Sequence, residues 1–268
     1  MLMVQTLARQ IRFSVNPFLA EQQYGYNSYA SKPCGEGLAL YFSLWVELSG
    51  GVDSDTGFVV NVTEIDREVR AEILPLFVKR ICEWYENGLH IALSDVAALL
   101  QEAWRALGGR FEGPDLSRIC LELNPFRKVA VCGEDCTVYY FSEKFEFAAM
   151  HKLWNDKFSE EKNMEIFGKC ANPSGHGHNY VIEVTVERPL EQGEFQIGDF
   201  EKTVFDRFIQ SVDHRNLNTQ VAEFVNLNPT VENIARVAWQ RLNGCFTGAT
   251  LSSVTVWEND RTFCTCRA

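Results

Sequence analysis

Histidine and positive charge are both scarce in this chain. Five histidines occur in 268 residues, and 25 lysines and arginines stand against 36 aspartates and glutamates, which gives a formal net charge of −11. Proteins that bind nucleic acid over a broad surface need a basic footprint, so this balance excludes that class of partner. It does not exclude an anionic small molecule, because lysines and arginines around a pocket can outweigh the net charge there.

Long apolar runs and the usual nucleotide-binding loops are missing as well. No apolar stretch reaches the roughly 20 residues that a membrane-spanning helix needs, so no membrane partner is expected. Gly-x-Gly-x-x-Gly and Gly-x-x-x-x-Gly-Lys loops are absent, which argues against a nicotinamide or nucleotide cofactor. The first ten residues lack the basic-then-apolar layout of a signal peptide.

The nine cysteines form no Cys-x-x-Cys pair. That spacing is typical of structural zinc sites, so such a site is not predicted. An odd number of cysteines without a secretory signal is typical of reduced thiols, and we therefore expect a cytoplasmic protein.

Three of the five histidines and one cysteine fall in a single short stretch: His151, Cys170, His176 and His178. Side chains repeat with period two in a strand, so His176 and His178 share a face of the alternating run that continues to residue 187. A third imidazole from a neighbouring strand completes a three-histidine site. Three protein ligands with an open fourth position are typical of catalytic zinc.

A plainer interpretation stands beside this one. A His-Gly-His pair alone is weak support for a metal site, and a histidine such as His151 after an apolar run more often packs in a core or lies on the surface. A free cysteine is usually a small buried apolar side chain. The concentration of these residues in a histidine-poor chain favours the metal site.

The two halves of the chain share a layout. Residues 94–107 parallel residues 229–242, and residues 116–124 parallel residues 251–259, both with an offset of 135 residues. Each half predicts two strands, two helices and two strands. That order is typical of an α+β fold, with an antiparallel four-stranded sheet and two helices on one face. The predicted elements lie near 11–19, 38–49, 64–85, 94–107, 116–124 and 127–132 in the first half, with Ser94 as a helix N-cap. In the second half we predict helices near 199–211 and 230–243, and an insertion at 155–169.

Four separated segments carry a resemblance to a known family: 159–180, 212–218, 229–233 and 256–259. In content and order they resemble the motifs of the 6-pyruvoyl tetrahydropterin synthase family, over roughly residues 138–268. The resemblance implies the T-fold for this unit. Together with the internal repeat, it predicts two tandem T-fold units, at 1–132 and 137–268, with the boundary near Cys132–Cys136. It also implies a homo-oligomer, because units of this family join their sheets edge to edge into rings and so remove exposed sheet edges.

The resemblance also implies a set of site residues. It implies that His151, His176 and His178 bind Zn²⁺. It implies that Cys170, Asp213 and His214 transfer protons. A nearby cation is expected to lower the pKa of the Cys170 thiol. The pterin anchors are Thr230, Glu232 and Glu258, since a carboxylate accepts from the paired N–H groups of a pterin edge. Lys169 and Arg215 are the cations nearest to the expected triphosphate.

The first half lacks these residues. Pro17, Leu38, Leu40, Ala97 and Leu123 stand at the positions aligned with His151, His176, His178, Glu232 and Glu258. Cys34 falls near the position of Cys170, with no ligand beside it. We therefore predict a degenerate unit with a structural role.

The implied reaction converts 7,8-dihydroneopterin triphosphate to 6-pyruvoyl-tetrahydropterin with loss of triphosphate. Three alternatives stay open: the related 6-carboxy-tetrahydropterin synthase of deazapurine biosynthesis, an aldolase-like cleavage of dihydroneopterin, and a non-catalytic pterin-binding protein. The five residues between Cys170 and His176 favour the pyruvoyl product, because the spacer is usually shorter in the carboxy enzymes.

Overall fold

A computed structural model of the chain describes residues 3–19, 38–133, 137–193 and 195–267. By its internal contacts the chain divides into two compact units. The first comprises Met1–Phe141 and Pro189–Phe195, and the second comprises Ser142–Arg188 and Gln196–Ala268. Part of the predicted boundary at Cys132–Cys136 lies outside the described residues. The domain limits therefore stay a prediction. Cys34 also lies outside the described residues.

The first unit contains the predicted order of elements. Its strands are β1 (Gln5–Val15), β2 (Leu40–Gly50), β3 (Asp115–Glu122) and β4 (Arg127–Cys132), and neighbouring strands pair in that order, antiparallel. Its helices are α1 (Val62–Glu68), α2 (Leu74–Glu86) and α3 (Leu93–Leu107).

The second unit repeats this order with additional short elements. Its strands are β5 (Val138–His151, whose first residues belong to the first unit), β6 (His176–Pro189), the two-residue β7 (Arg215–Asn216), β8 (Thr250–Asn259) and β9 (Thr262–Arg267). The order across the sheet is β5-β6-β8-β9, and β7 pairs with β5 in parallel. Its helices are α4 (Glu160–Phe167), α5 (Ile197–Val204), α6 (Gln210–Val212), α7 (Leu217–Gln220) and α8 (Val231–Leu242). The predicted insertion at 155–169 holds α4.

The two units match in strand register as well as in element order. The pairing of β2 with β3 shifts between Glu47 and Leu48, and the pairing of β6 with β8 shifts between Thr185 and Val186. These shifts are 138 residues apart, which is the offset that aligns residues 38–48 with 176–186. A β-bulge re-aims the strand that carries it and is a specific feature of a fold. Its repetition supports the interpretation of the chain as two copies of one unit.

Two predicted helices are interrupted by a π-helical turn. The helix expected over 64–85 is α1 and α2 joined by a π-turn at Val69–Ile73. The helix expected over 199–211 is α5 and α6 joined by a π-turn at Phe205–Ile209. Pro75 explains part of the first interruption, because proline lacks the N–H that a continuous helix requires. The apolar periodicity predicted the helices and carried no sign of the π-turns.

Helix α3 begins differently from the prediction. Its N-cap is Ala92, not Ser94, and Ser94 lies inside the first turn. The carboxylate of Asp95 accepts from the Ala92 N–H at 2.8 Å. An acidic side chain in the first turn satisfies a free amide there and complements the helix dipole, so the end is stable without a side-chain cap at Ala92.

Aromatic side chains seat the helices on each sheet. In the first unit the rings of Phe13 and Phe42 stack at 5.4 Å, and Phe77 meets Phe13 edge-on at 5.5 Å. In the second unit Phe208 of the π-turn at Phe205–Ile209 meets Phe147 of β5 edge-on at 5.6 Å. Each such buried ring contributes about 1.5–3 kcal/mol, which fixes the helices against the strands.

On β6 the predicted face is confirmed. Tyr180, Ile182, Val184 and Val186 are fully buried. Within the part of the chain that the structure describes, no helix is long and apolar enough to cross a membrane.

Candidate active site

The second unit brings the predicted histidines together at the ends of two neighbouring strands. His151 is the last residue of β5, and His176 and His178 open β6. Their ring centroids lie 4.5 Å (His151–His176), 4.7 Å (His176–His178) and 5.1 Å (His151–His178) apart. The period-two geometry that the sequence predicted therefore holds for the pair on β6.

Two further donors lie in the same cluster. The Cys170 Sγ is 3.7 Å from the Nε2 of His176. The Glu258 Oε1 is 3.6 Å from the Nε2 of His151 and 3.5 Å from that of His178. The donor atoms of His151, Cys170 and His176 lie within 4.8 Å of one another, and so do those of His151, His178 and Glu258. Both sets could hold a metal ion, and they share His151.

The donor geometry fits zinc. The Nε2 atoms of His151 and His176 lie 3.1 Å apart. Two nitrogens at about 2.0–2.1 Å from a tetrahedral zinc ion are separated by about 3.3 Å. The Nε2 of His178 is buried and has no hydrogen-bond partner in the described residues. A buried polar atom without a partner is unusual in a native protein, and a metal ion accounts for it.

The backbone carbonyl of Pro229 fixes the orientation of His151. It lies 2.7 Å from the Nδ1 of His151. A carbonyl only accepts, so Nδ1 carries the hydrogen and Nε2 presents its lone pair to the cluster. The Tyr180 hydroxyl also lies near Nδ1, at 3.4 Å. The sequence pattern did not identify either contact, since one uses a backbone atom and the other a core residue.

Burial favours the metal-binding form of His151 and His178. It lowers the pKa of His151, against the opposing effect of the hydrogen bond to Pro229. Burial likewise lowers the pKa of His178, opposed by the charge of Glu258. Neutral imidazole is the metal-binding form, so both histidines are ready ligands at neutral pH.

The protein groups around Cys170 act on its thiol in one direction. Burial first, and then the charge of Glu258, raise the pKa of its thiol. The groups of the protein therefore oppose thiolate formation, and a lowering of the pKa has to come from a cation in the cluster.

One glycine makes the close approach of these segments possible. Gly175 has φ +69°, and a Cβ atom built there would lie 2.9 Å from the carbonyl oxygen of His151. Both the positive φ and the short contact exclude a side chain, because Cβ atoms do not approach backbone oxygen that closely.

Asp213 and His214 lie beside the strand that carries His151. The Oδ1 of Asp213 is 2.9 Å from the Nδ1 of His214 and accepts from the Ala148 N–H at 2.9 Å. Burial alone raises the pKa of Asp213, but the hydrogen bonds from Ala148 and His214 outweigh it, and the pKa lies below its usual value. Asp213 and His214, which the resemblance implies for proton transfer, therefore contact each other.

His214 faces a cleft that also touches the histidine cluster. Its side chain is 82% exposed, and its φ is +54°, an uncommon value outside glycine. His178, His214 and Arg215 line one cleft of about 480 Å³. A ligand in this cleft can thus meet a cluster histidine and His214 together.

The two remaining predicted anchors lie on α8. Thr230 is its N-cap and accepts from the Asn233 N–H at 3.4 Å. Glu232 is exposed in the first turn, and in the described residues it makes no bond to the histidine cluster. Its charge instead contributes to the raised pKa of Cys264 on β9, after burial and Cys266.

Of the predicted pterin anchors, only Glu258 is placed in the cluster. Lys169, the other predicted cation, is exposed beside Cys170.

The aligned place in the first unit is apolar. Leu40, Phe42, Leu121 and Leu123 are among the residues that line a cavity of about 390 Å³ there. Among the described residues, both clusters of possible metal ligands lie in the second unit. This agrees with the loss of polar ligands seen in the sequence.

The match to a known protein family falls mainly on the second unit. The profile of the 6-pyruvoyl tetrahydropterin synthase family matches residues 140–268. The human 6-pyruvoyl tetrahydrobiopterin synthase is 35% identical over 122 residues, which are 44% of this chain and 84% of the relative. A dihydroneopterin monophosphate aldolase of Pyrococcus furiosus is 35% identical over 88 residues, which are 32% of this chain and 71% of the relative.

A solved structure of the Caenorhabditis elegans 6-pyruvoyl tetrahydropterin synthase is 30% identical, with a TM-score of 0.45, and covers 49% of this chain and 96% of its own. The identity to the human enzyme extends over most of that enzyme's length. The segment that the family profile matches contains the histidine cluster. This chain belongs to the 6-pyruvoyl tetrahydropterin synthase family.

Proposed function

We propose that the chain is a zinc-dependent 6-pyruvoyl tetrahydropterin synthase that acts on 7,8-dihydroneopterin triphosphate. The observation that carries the proposal is the position of the Cys170 thiol, 3.7 Å from the Nε2 of His176. A candidate proton acceptor thus lies next to candidate metal ligands, in a chain whose relatives carry that enzyme's name.

His151, His176 and His178 are the residues that hold the metal in this proposal. A zinc ion held by these three imidazoles would supply Lewis-acid chemistry, which would polarise the oxygens of the pterin side chain and acidify the neighbouring C–H and O–H groups. Burial and the charge of Glu258 raise the pKa of Cys170 in the protein alone, so the proposal assigns the lowering of that pKa to the bound cation.

Two groups on different sides of the site handle protons. Cys170 accepts a proton within the cluster, and His214 exchanges one in the open cleft. Asp213 holds the His214 ring through the 2.9 Å contact to Nδ1, which leaves Nε2 for the substrate. A carboxylate that orients an imidazole and stabilises its charged form is a common arrangement for general acid–base catalysis.

Thr230, Glu232 and Glu258 bind the pterin in this proposal, and Lys169 and Arg215 meet the triphosphate. Glu232 is exposed in the first turn of α8. The proposal includes a homo-oligomer. The first unit has a structural role in that assembly.

The test is product identification by mass after zinc-loaded protein is mixed with 7,8-dihydroneopterin triphosphate. The proposal predicts 6-pyruvoyl-tetrahydropterin and free triphosphate. A 6-carboxy product with acetaldehyde assigns the chain to deazapurine biosynthesis. Cleavage to a hydroxymethyl pterin identifies an aldolase, the activity named for the Pyrococcus furiosus relative. Bound zinc and pterin without turnover identifies a binding protein.

A further inference from the structure

Asn218 makes two hydrogen bonds to the backbone of the residue that follows His151. Its Oδ1 accepts from the Lys152 N–H at 2.7 Å, and its Nδ2 donates to the Lys152 carbonyl at 2.9 Å. The two residues are 66 positions apart in the sequence. A primary amide that binds N–H and C=O of one residue acts as the edge of a neighbouring strand does.

This contact lies where the strand ends. β5 stops at His151, so the backbone of Lys152 depends on another group for its hydrogen bonds. The next residue, Leu153, donates its N–H to the carbonyl of Cys170 at 2.8 Å. The Trp154 N–H donates to the Oδ1 of Asn228 at 3.0 Å. The three residues that follow His151 therefore make hydrogen bonds to groups from three different parts of the second unit.

The position of Asn218 is itself fixed. Its N–H donates to the Oδ1 of Asn216, the N-cap of α7, at 3.1 Å. Asn216 lies in β7, which pairs with Ala149 and Met150 of β5. The segment from Asp213 to Asn218 thus follows β5 from Ala148 to Lys152 and contacts the backbone on both sides of the site residue.

We propose that Asn218 is a positioning residue for the metal centre. Through Lys152 and Leu153 it sets the distance between His151 on one side and Cys170 on the other. This inference rests on the proposed function only in so far as His151 ligates zinc. It also explains why the sequence motif that begins at Asp213 extends to Asn218: its first residues form the Asp-His pair, and its last residue holds the strand.

A merely structural asparagine predicts a different result from a positioning one. Loss of two part-buried hydrogen bonds lowers stability whatever the role. Loss of positioning also weakens the metal site in protein that is still folded. Changes to residues that orient metal ligands typically lower metal affinity 10- to 100-fold, so zinc affinity separates the two.

The experiment measures the zinc dissociation constant by competition with a chromophoric chelator, using the full chain. Thermal unfolding of the metal-free protein is followed in parallel to show that each variant is folded at the working temperature. Asn218→Ala is expected to weaken zinc binding at least tenfold. Asn218→Asp keeps the size and the acceptor but places an oxygen against the Lys152 carbonyl, and it is expected to weaken zinc binding as well. Asn243→Ala is the matched control, because Asn243 is exposed at the far end of α8, and wild-type affinity is expected.

A wild-type zinc affinity in folded Asn218→Ala overturns the inference. If the alanine variant does not fold, Asn218→Asp decides on the same criterion. Failure of the proposed function looks different: zinc binds the wild type, weakens in the Asn218 variants, and no pyruvoyl product forms, which leaves the positioning role intact. A wild type that binds no zinc overturns both.

Discussion

The Nδ1 of His151 lies 2.7 Å from the carbonyl oxygen of Pro229, across 78 residues of sequence. This single contact orients one ring of the cluster and ties β5 to the start of α8. Asn228, the residue before Pro229, binds the Trp154 N–H just beyond the same histidine. The loop before α8 therefore holds both the ring and the backbone of the strand end.

Cys170→Ala is expected to abolish turnover and to leave zinc and pterin binding intact. The thiol lies beside the histidines, yet the three imidazoles alone supply enough ligands for a catalytic zinc site. Metal content, pterin affinity and turnover are measured on the same preparation. Full activity of this variant would falsify the role of Cys170 as a base.

His214→Ala is expected to lower kcat by about 10²- to 10⁴-fold, the usual contribution of a general acid or base. Its exposed side chain bonds to Asp213 and to no cluster histidine, so zinc content is expected to stay as in the wild type. Steady-state kinetics and elemental analysis test the two halves of this statement. Loss of zinc together with activity would assign His214 a structural role.

Gly175→Ala is expected to destabilise the fold by about 1–3 kcal/mol, the cost of forcing a side chain into a strained backbone conformation. The added Cβ also presses on the His151 carbonyl, so zinc affinity should fall too. Denaturant unfolding of the metal-free protein gives the first quantity, and chelator competition gives the second.

Gly198→Ala is the matched control for that substitution. Gly198 lies in α5 with nothing within 4 Å of the added Cβ, and alanine is the better helix former by about 1 kcal/mol. Equal destabilisation by the two substitutions contradicts the account of Gly175.

The ion pair between Glu223 and Arg241 should make a pH-dependent contribution to the stability of the protein. Arg241 donates from Nε and Nη2 to the two carboxylate oxygens at 2.7 and 2.6 Å. This hydrogen bonding, against burial, lowers the pKa of Glu223 from its usual value of 4.5. A carboxyl with a lowered folded-state pKa stabilises the protein above its unfolded-state pKa. That stabilisation is lost as pH falls through the folded-state value.

Glu223→Gln should therefore be less stable than the wild type at pH 6–7, by up to about 1 kcal/mol because the pair is partly exposed. The difference should shrink below about pH 4.5 as the wild-type carboxyl becomes protonated. Melting temperatures of both proteins between pH 3 and 7 check this. A difference that stays constant over that range contradicts the assigned pKa shift.

Much of the fold and part of the site could be predicted from the sequence. The period-two spacing of His176 and His178 predicts their shared face, because a strand has only one way to place residues i and i+2. The offset of 135 residues predicts the repeated order of elements. The π-turns at residues 69–73 and 205–209 could not be predicted. A π-turn adds one residue to a helix, and this changes the spacing of the apolar residues too little to be detected in the sequence.

The contacts that orient the histidine cluster could not be predicted from the sequence, for a different reason. The partner of His151 is a backbone carbonyl, and every residue has one, so Pro229 carries no signal in its side chain. Asn218 was visible as the last residue of a motif, yet its contact to Lys152 depends on β7 pairing with β5. Glu258 was expected at the pterin, and only the folded register of β8 shows that its carboxylate lies beside the histidines.

The zinc content of purified wild type and His176→Ala tests the central claim most directly. The account predicts one zinc ion per chain in the wild type and background zinc in the variant, because the Nε2 of His176 lies 3.1 Å from that of His151. His90→Ala, an exposed histidine in the first unit, should retain the wild-type content. A His176→Ala protein that still holds one zinc ion per chain contradicts the three-histidine site.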